Sequence, residues 1–233
     1  MYTSRFSLTA VTMFLSVILF TFMIFSLSGA PAFAEGQVSG NAAASDFISA
    51  LGNKAMDSVV AGDLTDEERA SRAKTIVHDN FDVQTIGRFA LGAHWDATTE
   101  TQRGEYLGLF EDMIAQICAG HIKEYSGQSF NVTGVKAGEK SSRDFVVSSK
   151  ILQKNAAPVA VDWRVRERDG QFKVVDIYVD DVSMAFTYRT DFNSVLAQGD
   201  GNVETLLASL RGHAEQYGEK QIAAAGRTVA HAE

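Results

Sequence analysis

Apolar residues recur every three or four positions through the first half of the chain, which predicts a series of amphipathic helices. Each predicted helix starts at a residue whose side chain can accept a hydrogen bond from the first turn. The predicted first residues are Ser45, Thr65, Asp82 and Thr99. Thr65 and Thr99 also begin capping boxes, because Glu68 and Gln102 follow them three positions later. The predicted helices end near Gly62, His78, Gly92 and Gly127.

The longest predicted helix runs from Thr99 to about residue 125 and carries an apolar stripe that is wider than a surface helix needs. The stripe comprises Tyr106, Leu109, Phe110, Met113, Ile114, Ile117, Cys118 and Ile122.

The second half of the chain changes to a period of two, which is typical of half-buried strands. Strands are predicted from Phe130 and over residues 145–151, 159–166 and 172–179. Asp169-Gly170 is the turn signal of a hairpin that joins the last two strands. The apolar parity shifts between Val174 and Val175, which predicts a bulge or a strand buried on both faces.

Helical spacing resumes after the strands, at residues 188–196 and 203–210. The order of N-terminal helices, an antiparallel meander of about four strands and C-terminal helices predicts an α+β fold. The length suits one domain, predicted over residues 45–215. Short low-complexity segments at 35–44 and 216–233 are expected to be flexible.

Residues 1–34 have the layout of a secretory signal peptide. Arg5 precedes an apolar stretch from about Phe6 to Leu27, and Ala32-Phe33-Ala34 is a small-x-small cleavage site. The stretch is long enough to anchor the chain in a membrane. Its serine and threonine residues and the cleavage site favour removal after Ala34, so we expect an exported, soluble mature chain.

Charge and composition exclude several functions. The net charge of −8, without any run of lysine or arginine, argues against nucleic acid as a partner. Cys118 is the single cysteine, so no internal disulfide is possible. The sequence has no glycine-rich phosphate-binding loop and no zinc-ligand spacing, so no cofactor and no metal site are predicted.

Two residues, Ser183 and Cys118, are candidates for the nucleophile of an enzyme. Ser183 follows a predicted strand, as a nucleophile elbow does, but both flanking glycines of that turn are missing. Cys118 and His121 lie three residues apart on one helix face, where a thiolate–imidazole pair is conceivable. A buried thiol in an apolar stripe is the commoner situation. A hydrolase or thiol enzyme is therefore the alternative to a binding protein.

One ordered set of residues runs through most of the chain and consists of Phe81-Asp82, Ile86, Arg88, Leu91-Gly92, Trp95, Thr98 or Thr99 with Gln102, Phe110, Val174, Asp176, Val182-Ser183, Tyr188-Arg189 and Phe192. This set resembles a known family, the MlaC-type (toluene-tolerance) periplasmic phospholipid carriers. The resemblance covers roughly residues 45–215. One departure is Asp181, which stands where the family usually has glycine.

The resemblance implies a twisted sheet and helices that enclose an apolar cavity. It also implies a phospholipid cargo whose headgroup stays near solvent, and a protein without catalytic groups. The implied partners are an inner-membrane ABC-transporter complex and an outer-membrane lipoprotein complex. A hopanoid-associated branch of the same family leaves a related lipid as the alternative cargo.

Candidate residues for such a site come from the wide stripe and from the predicted sheet. The candidate lining residues are Phe89, Trp95, Tyr106, Phe110, Met113, Ile114, Ile117, Val161, Trp163, Val165, Ile177 and Met184. Tyr188 and Arg189 are candidates for the cavity rim, where Arg189 would pair with Asp180 or Asp181, or with a lipid phosphate. The same apolar residues would also suit an ordinary packed core.

Overall fold

The computed structural model describes residues 32–59, 64–123, 129–138, 143–152 and 157–213. The first helices are α1 (Ala32–Val59), α2 (Asp66–Asn80), α3 (Val83–Leu91) and α4 (Glu100–Lys123), with a 3-10 helix (Gly92–Ala97) between α3 and α4. Strands β1 (Ser129–Ala137), β2 (Asp144–Leu152), β3 (Val159–Arg168), β4 (Gln171–Val179) and β5 (Val182–Ser183) follow. Helix α5 (Met184–Gln198) and helix α6, residues 203–213, complete the fold, which confirms the predicted α+β class.

The strands form one antiparallel meander in the order β1-β2-β3-β4-β5. The described sheet therefore has five strands instead of about four, because Val182 and Ser183 add a short edge strand. Asp169 and Gly170 both have positive φ, 54° and 77°, as a two-residue hairpin turn requires. The predicted bulge is confirmed: Val165 pairs with Val174 and Arg164 with Asp176, so Val175 is the extra residue.

The predicted capping residues begin three of the helices. Thr65 Oγ1 accepts from the amide of Glu68 at 3.1 Å, and the Glu68 carboxylate accepts from the Thr65 amide at 2.9 Å. Thr99 and Gln102 form the same reciprocal pair, at 3.2 and 3.0 Å. Asp82 accepts from the Thr85 amide at 2.9 Å. These bonds satisfy amides that would otherwise lack partners in the first turn.

The start of α1 differs from the prediction. The helix begins at Ala32, so Ser45 lies inside it and does not cap it, and residues 35–44 are helical. Ala44 is fully buried, and a side chain at Gly40 would meet the Phe145 ring at 2.9 Å. Gly40 and Ala44 therefore pack closely inside the fold, while the flexibility expected for residues 35–44 remains a prediction. Residues 1–31 and 214–233 lie outside the described part, so the signal peptide and the 216–233 tail remain predictions.

Helix α5 starts at Met184, four residues before the predicted start at Tyr188. Ser183 is its N-cap and accepts from the Phe186 amide at 3.1 Å. Asp180 and Asp181, both with positive φ (47° and 65°), make the tight turn that leads from β4 into β5. The departure from the family pattern at Asp181 thus falls on a left-handed residue, where glycine is least strained.

Helices α3, α4 and α5 pack together on an aromatic cluster. Tyr106 and Phe110 of α4 are fully buried, and the Tyr106 hydroxyl donates to the Gly87 carbonyl of α3 at 3.0 Å. The Phe110 ring makes edge contacts with Tyr188 at 5.6 Å and Phe192 at 5.7 Å. This end of α4 is therefore ordinary close-packed core.

A buried ion pair lies on β2 and β3. Asp144, 1% exposed, accepts from Arg166 at 2.7 and 2.9 Å and from Arg164 at 3.0 Å. The hydrogen bonds from Arg166, followed by those from Arg164, hold the pKa of the Asp144 carboxyl below its usual value. The cluster fastens the β2–β3 ladder and takes no part in the cavity described below.

Candidate functional site

An apolar cavity of about 300 Å³ lies between the helices and the sheet. Helices α1, α2, α4 and α5 each supply one wall, and the sheet closes the remaining side. The lining residues are Leu51, Gly52, Ala55, Met56, Ala73, Ile76, Val77, Phe81, Ile86, Ile114, Ile117, Cys118, Phe130, Ile151, Trp163, Val174, Asp176, Ile177, Val179, Met184, Ala185 and Tyr188.

Trp163 contributes an aromatic wall whose polar atom is already satisfied. Its indole N–H donates to Ser149 Oγ at 2.9 Å, and that hydroxyl donates in turn to the Val161 carbonyl at 3.0 Å. The Phe130 ring packs edge-on against the indole at 6.0 Å. Trp163 is thus held in place by a buried serine and leaves only carbon surface for the cavity.

Among the described lining residues Asp176 is the only charged one, and both oxygens of its carboxylate accept hydrogen bonds. They accept from the Ile177 amide at 2.8 Å, the Ala185 amide at 3.1 Å and the Ser183 hydroxyl at 2.7 Å. These bonds join the end of β4 to the start of α5. Asp176 therefore holds two cavity walls together.

Cys118 and Tyr188 face each other across the α4–α5 side of the cavity. Burial raises the pKa of the Cys118 thiol to about 11. Burial, together with the neighbouring Cys118 and Asp191, raises the pKa of the Tyr188 phenol to about 12. Both groups are neutral at physiological pH, so they add no charge to the cavity.

The lining reaches the protein surface beside α4 and α5. Ile117 lines the cavity and is 38% exposed. Val182 and Phe186, the residues two positions before and after the lining residue Met184, are exposed large apolar side chains, with Phe186 at 62%. Exposed apolar residues next to a cavity are typical of an entrance for an apolar ligand.

The structure brings together five of the twelve predicted lining residues, which are Ile114, Ile117, Trp163, Ile177 and Met184. Tyr188, predicted for the rim, also lines the cavity. They come from four different elements, α4, β3, β4 and α5, whose apolar faces meet at the void.

The other seven predicted residues lie elsewhere. Tyr106, Phe110, Val161 and Val165 are buried in close-packed core, and Met113 packs against that core. Trp95 is buried in the 3-10 helix, where the Arg103 guanidinium lies 5.2 Å from its ring centre. Phe89 is 43% exposed on α3. An apolar stripe alone does not distinguish a wall of a void from a packed face.

Arg189 does not occupy the predicted place at the rim. Its guanidinium lies 5.1 Å from the Phe89 ring centre, and it forms no ion pair with Asp180 or Asp181. The helix turns it towards α3, one position after the cavity-lining Tyr188. The predicted salt bridge between Arg189 and Asp180 or Asp181 is therefore wrong. The guanidinium packs instead on Phe89 of α3, which is distant in the sequence.

Sequence reasoning missed the walls from α1 and α2. Leu51 and Ala55 have helical spacing, which indicates one face of a helix but does not mark that face as the border of a void. Gly52 lies beside them where a side chain would collide with the Phe130 ring, so α1 and β1 approach closely beside the cavity.

The geometry does not favour the enzyme alternative. The Ser183 hydroxyl donates to Asp176 and caps α5, so it serves the strand–helix junction. Cys118, with its raised pKa, is protonated at neutral pH and a poor nucleophile. The side chain of His121 lies outside the described residues. Within the described ranges no three His, Cys, Asp or Glu side chains are grouped to hold a metal ion, and no helix is long and apolar enough to cross a membrane.

Fold and site together define a small α+β protein with an interior cavity for an apolar ligand. The chain belongs to the MlaC family, whose sequence model matches residues 49–212. The family resemblance found in the sequence is thereby confirmed.

Two known proteins are similar to this chain. The intermembrane phospholipid transport system binding protein MlaC of Haemophilus influenzae is 26% identical over 152 residues, which cover 61% of this chain and 69% of that protein. The solved structure of a phospholipid-binding protein from Ralstonia solanacearum, in complex with a phospholipid, matches with a TM-score of 0.59 and 21% identity. The match covers 82% of this chain and 99% of the other, and it shows a shared fold.

Proposed function

We propose that this protein is a periplasmic carrier that takes up phospholipid and shuttles it between inner- and outer-membrane transport complexes without catalysing a reaction. The single observation that carries the proposal is the cavity: its described walls are apolar, and both oxygens of their one carboxylate already accept hydrogen bonds from the protein. The lipid-related names of the two similar proteins support phospholipid as the cargo.

The size and chemistry of the cavity suit an acyl chain. Its volume lies at the small end of the range of about 300–1,000 Å³ that is usual for ligand pockets. Each methylene that leaves water contributes about 0.8 kcal/mol, so ten buried methylenes contribute about 8 kcal/mol. The freedom that the lipid loses on binding offsets part of this gain, and the remainder keeps the acyl chain out of water. A membrane complex that offers a new apolar site can still accept it.

The headgroup, in this proposal, stays outside. Among the described lining residues no side chain is positively charged, so a buried phosphate would lose its hydration without a cation to compensate it. Ile117 and Phe186 provide the apolar border through which the chains enter. Recognition by tails alone implies a carrier with little preference among headgroups.

Mass spectrometry of an organic extract of the protein identifies the cargo. The protein is purified for this purpose from the compartment to which the cell delivers it. We expect phospholipid in near-stoichiometric amounts with mixed headgroups. A hopanoid in its place would establish the alternative cargo, and the absence of any co-purified lipid would contradict the proposal.

Cys118 provides a second test, because it is the chain's single cysteine and lines the cavity. A bulky thiol reagent should react with delipidated protein and be blocked by bound lipid. Since the thiolate is the reactive form and burial raises the pKa to about 11, the rate should rise about tenfold per pH unit up to that value. Equal rates with and without lipid would place the cargo elsewhere.

A further inference from the structure

A second concave surface lies on the far side of α3 and α5 from the cavity. This groove, which we call the arginine groove, encloses about 460 Å³ and is lined by Thr85, Arg88, Phe89, Gly92, Trp95, Asp96 and Arg189. It shares no residue with the lipid cavity. On α5, Tyr188 faces the cavity and Arg189 the groove; on α3, Ile86 faces the cavity and Thr85 the groove.

Two guanidinium groups in the groove have unused hydrogen-bond donors. Among the described residues, Arg88 and Arg189 form no hydrogen bond and no ion pair, and each instead packs on an aromatic ring. Arg103, the other arginine on Trp95, differs: it donates to the Trp95 carbonyl and to Thr98 Oγ1. Asp96 is the one carboxylate in the groove lining, and it pairs with neither free guanidinium.

Arg189 is held in a fixed orientation. Phe89 packs on the guanidinium at 5.1 Å. On another side lies Gly92, which has a φ of 60° and where a Cβ atom would meet the guanidinium at 3.2 Å. The planar Arg189 guanidinium is held between an aromatic ring and the backbone. It is therefore already oriented to donate two parallel hydrogen bonds to a carboxylate.

We propose that the arginine groove docks an acidic segment of a protein partner, with carboxylates on Arg88 and Arg189 and an apolar side chain against Phe89. Arginine clusters recognise acidic motifs, and arginine with tryptophan and other aromatic residues is typical of the energetic centre of protein interfaces. Phe89, 43% exposed beside the two cations, supplies the apolar contact that a free anion would not use. In a chain of net charge −8, the groove is a local cationic patch that would orient such a partner. The proposal does not depend on the nature of the lipid.

The two tryptophans of the chain, Trp95 in the groove and Trp163 in the cavity, allow a direct test. In a Trp163→Phe background the emission comes from Trp95 alone. Titration with a short, end-blocked peptide of alternating glutamate and leucine should give a saturable change that weakens with added salt. The glutamine counterpart of the peptide should give none. Arg88→Gln and Arg189→Gln should each weaken binding about tenfold.

Arg168→Gln is the matched control, because it removes one exposed positive charge on β3, outside the groove. It should leave the peptide affinity unchanged within about twofold. If Arg189→Gln fails to fold, the exposed Arg88 still carries the test. Equal weakening by Arg168→Gln, or no saturable change with the glutamate peptide, would overturn the proposal. The proposal would also be overturned if phosphatidylglycerol vesicles gave a response that depends on Arg88 and Arg189 while the peptide gave no such response.

Discussion

Helix α4 has two apolar ends with different surroundings. Around Tyr106 and Phe110 the side chains are fully buried against α3 and α5. Two turns later, Ile114, Ile117 and Cys118 border a cavity, and Ile117 reaches the surface. The sequence stripe is continuous, yet one end is a packed core and the other is the wall of a void.

The difference lies in what the neighbouring elements supply. Phe110 meets large rings from α5, which fill the space above it. Ile114 and Cys118 instead border the cavity, and α1 supplies Leu51, Ala55 and Met56 to its lining. A cavity thus arises where the neighbouring elements do not fill the space beside a wide apolar stripe, and the same stripe against close-fitting rings makes core.

The largest contrast should come from truncating one residue at each end. Phe110→Ala removes a fully buried ring and should lower the free energy of unfolding by about 3–5 kcal/mol. Ile117→Ala, at the partly exposed cavity end, should cost about 1 kcal/mol or less and weaken lipid retention. Urea unfolding of the delipidated proteins measures both. Similar losses at the two ends would show that the cavity end is packed as well.

Asp144→Asn separates loss of stability from loss of cargo. Removing the carboxylate between Arg164 and Arg166 should cost about 2–3 kcal/mol, with lipid occupancy unchanged in the fraction that is folded. The folded-state pKa of Asp144 is lowered, so the stabilisation is present above the unfolded-state value of about 4. It is lost as the pH falls through the folded-state pKa. The difference in stability between the two proteins should therefore shrink as the pH falls below about 4. A constant difference at every pH would contradict the assignment.

Filling the void should affect the cargo more than the fold. Ala55→Phe places a ring in the cavity from α1, where space is free, so the stability should change by about 1 kcal/mol or less. Lipid occupancy should fall strongly. Ala50→Phe is the matched control, because Ala50 is exposed on the same helix and lines no part of the cavity. If both variants keep their lipid, the void is not the binding site.

The smallest expected change in stability comes from a residue in the turn between β4 and β5, away from α4. Asp181 has a φ of 65°, so Asp181→Gly should relieve strain and stabilise the protein by about 0.5–1 kcal/mol without altering lipid retention. Asp46→Gly, at an exposed position in the interior of α1, should lower stability, since glycine is a poor helix former. Thermal melts of the two variants in parallel measure the difference, and a loss of stability in Asp181→Gly would refute the strain argument.

Features set by neighbouring residues were predictable from the sequence. The capping boxes at Thr65 and Thr99, the hairpin at Asp169 and the bulge at Val175 each depend on bonds or torsions within a few positions. The helical conformation before Ser45 was not predictable from local spacing, because Gly40 packs against Phe145, about a hundred positions away.

The site was predictable only in part, for the same reason. Periodicity identified Ile114 and Ile117 as apolar but could not separate them from Phe110, since the distinction depends on residues of α1 and α5. Arg189 follows Asp180 and Asp181 by only nine and eight positions in the sequence, yet the structure pairs it with Phe89, whose position depends on the packing of α3 against α5.

The central claim is that the cavity end of α4 contacts the lipid and the packed end does not. A photoreactive group on the acyl chain of a phospholipid tests this claim. The lipid is loaded into delipidated protein and irradiated, and peptide mass spectrometry then identifies the labelled residues. We predict label at Ile114, Ile117 and Cys118, and none at Tyr106 or Phe110. Label confined to the arginine groove around Phe89 and Trp95 would contradict the claim. So would an amount of label on the folded protein that does not exceed the amount on the unfolded protein.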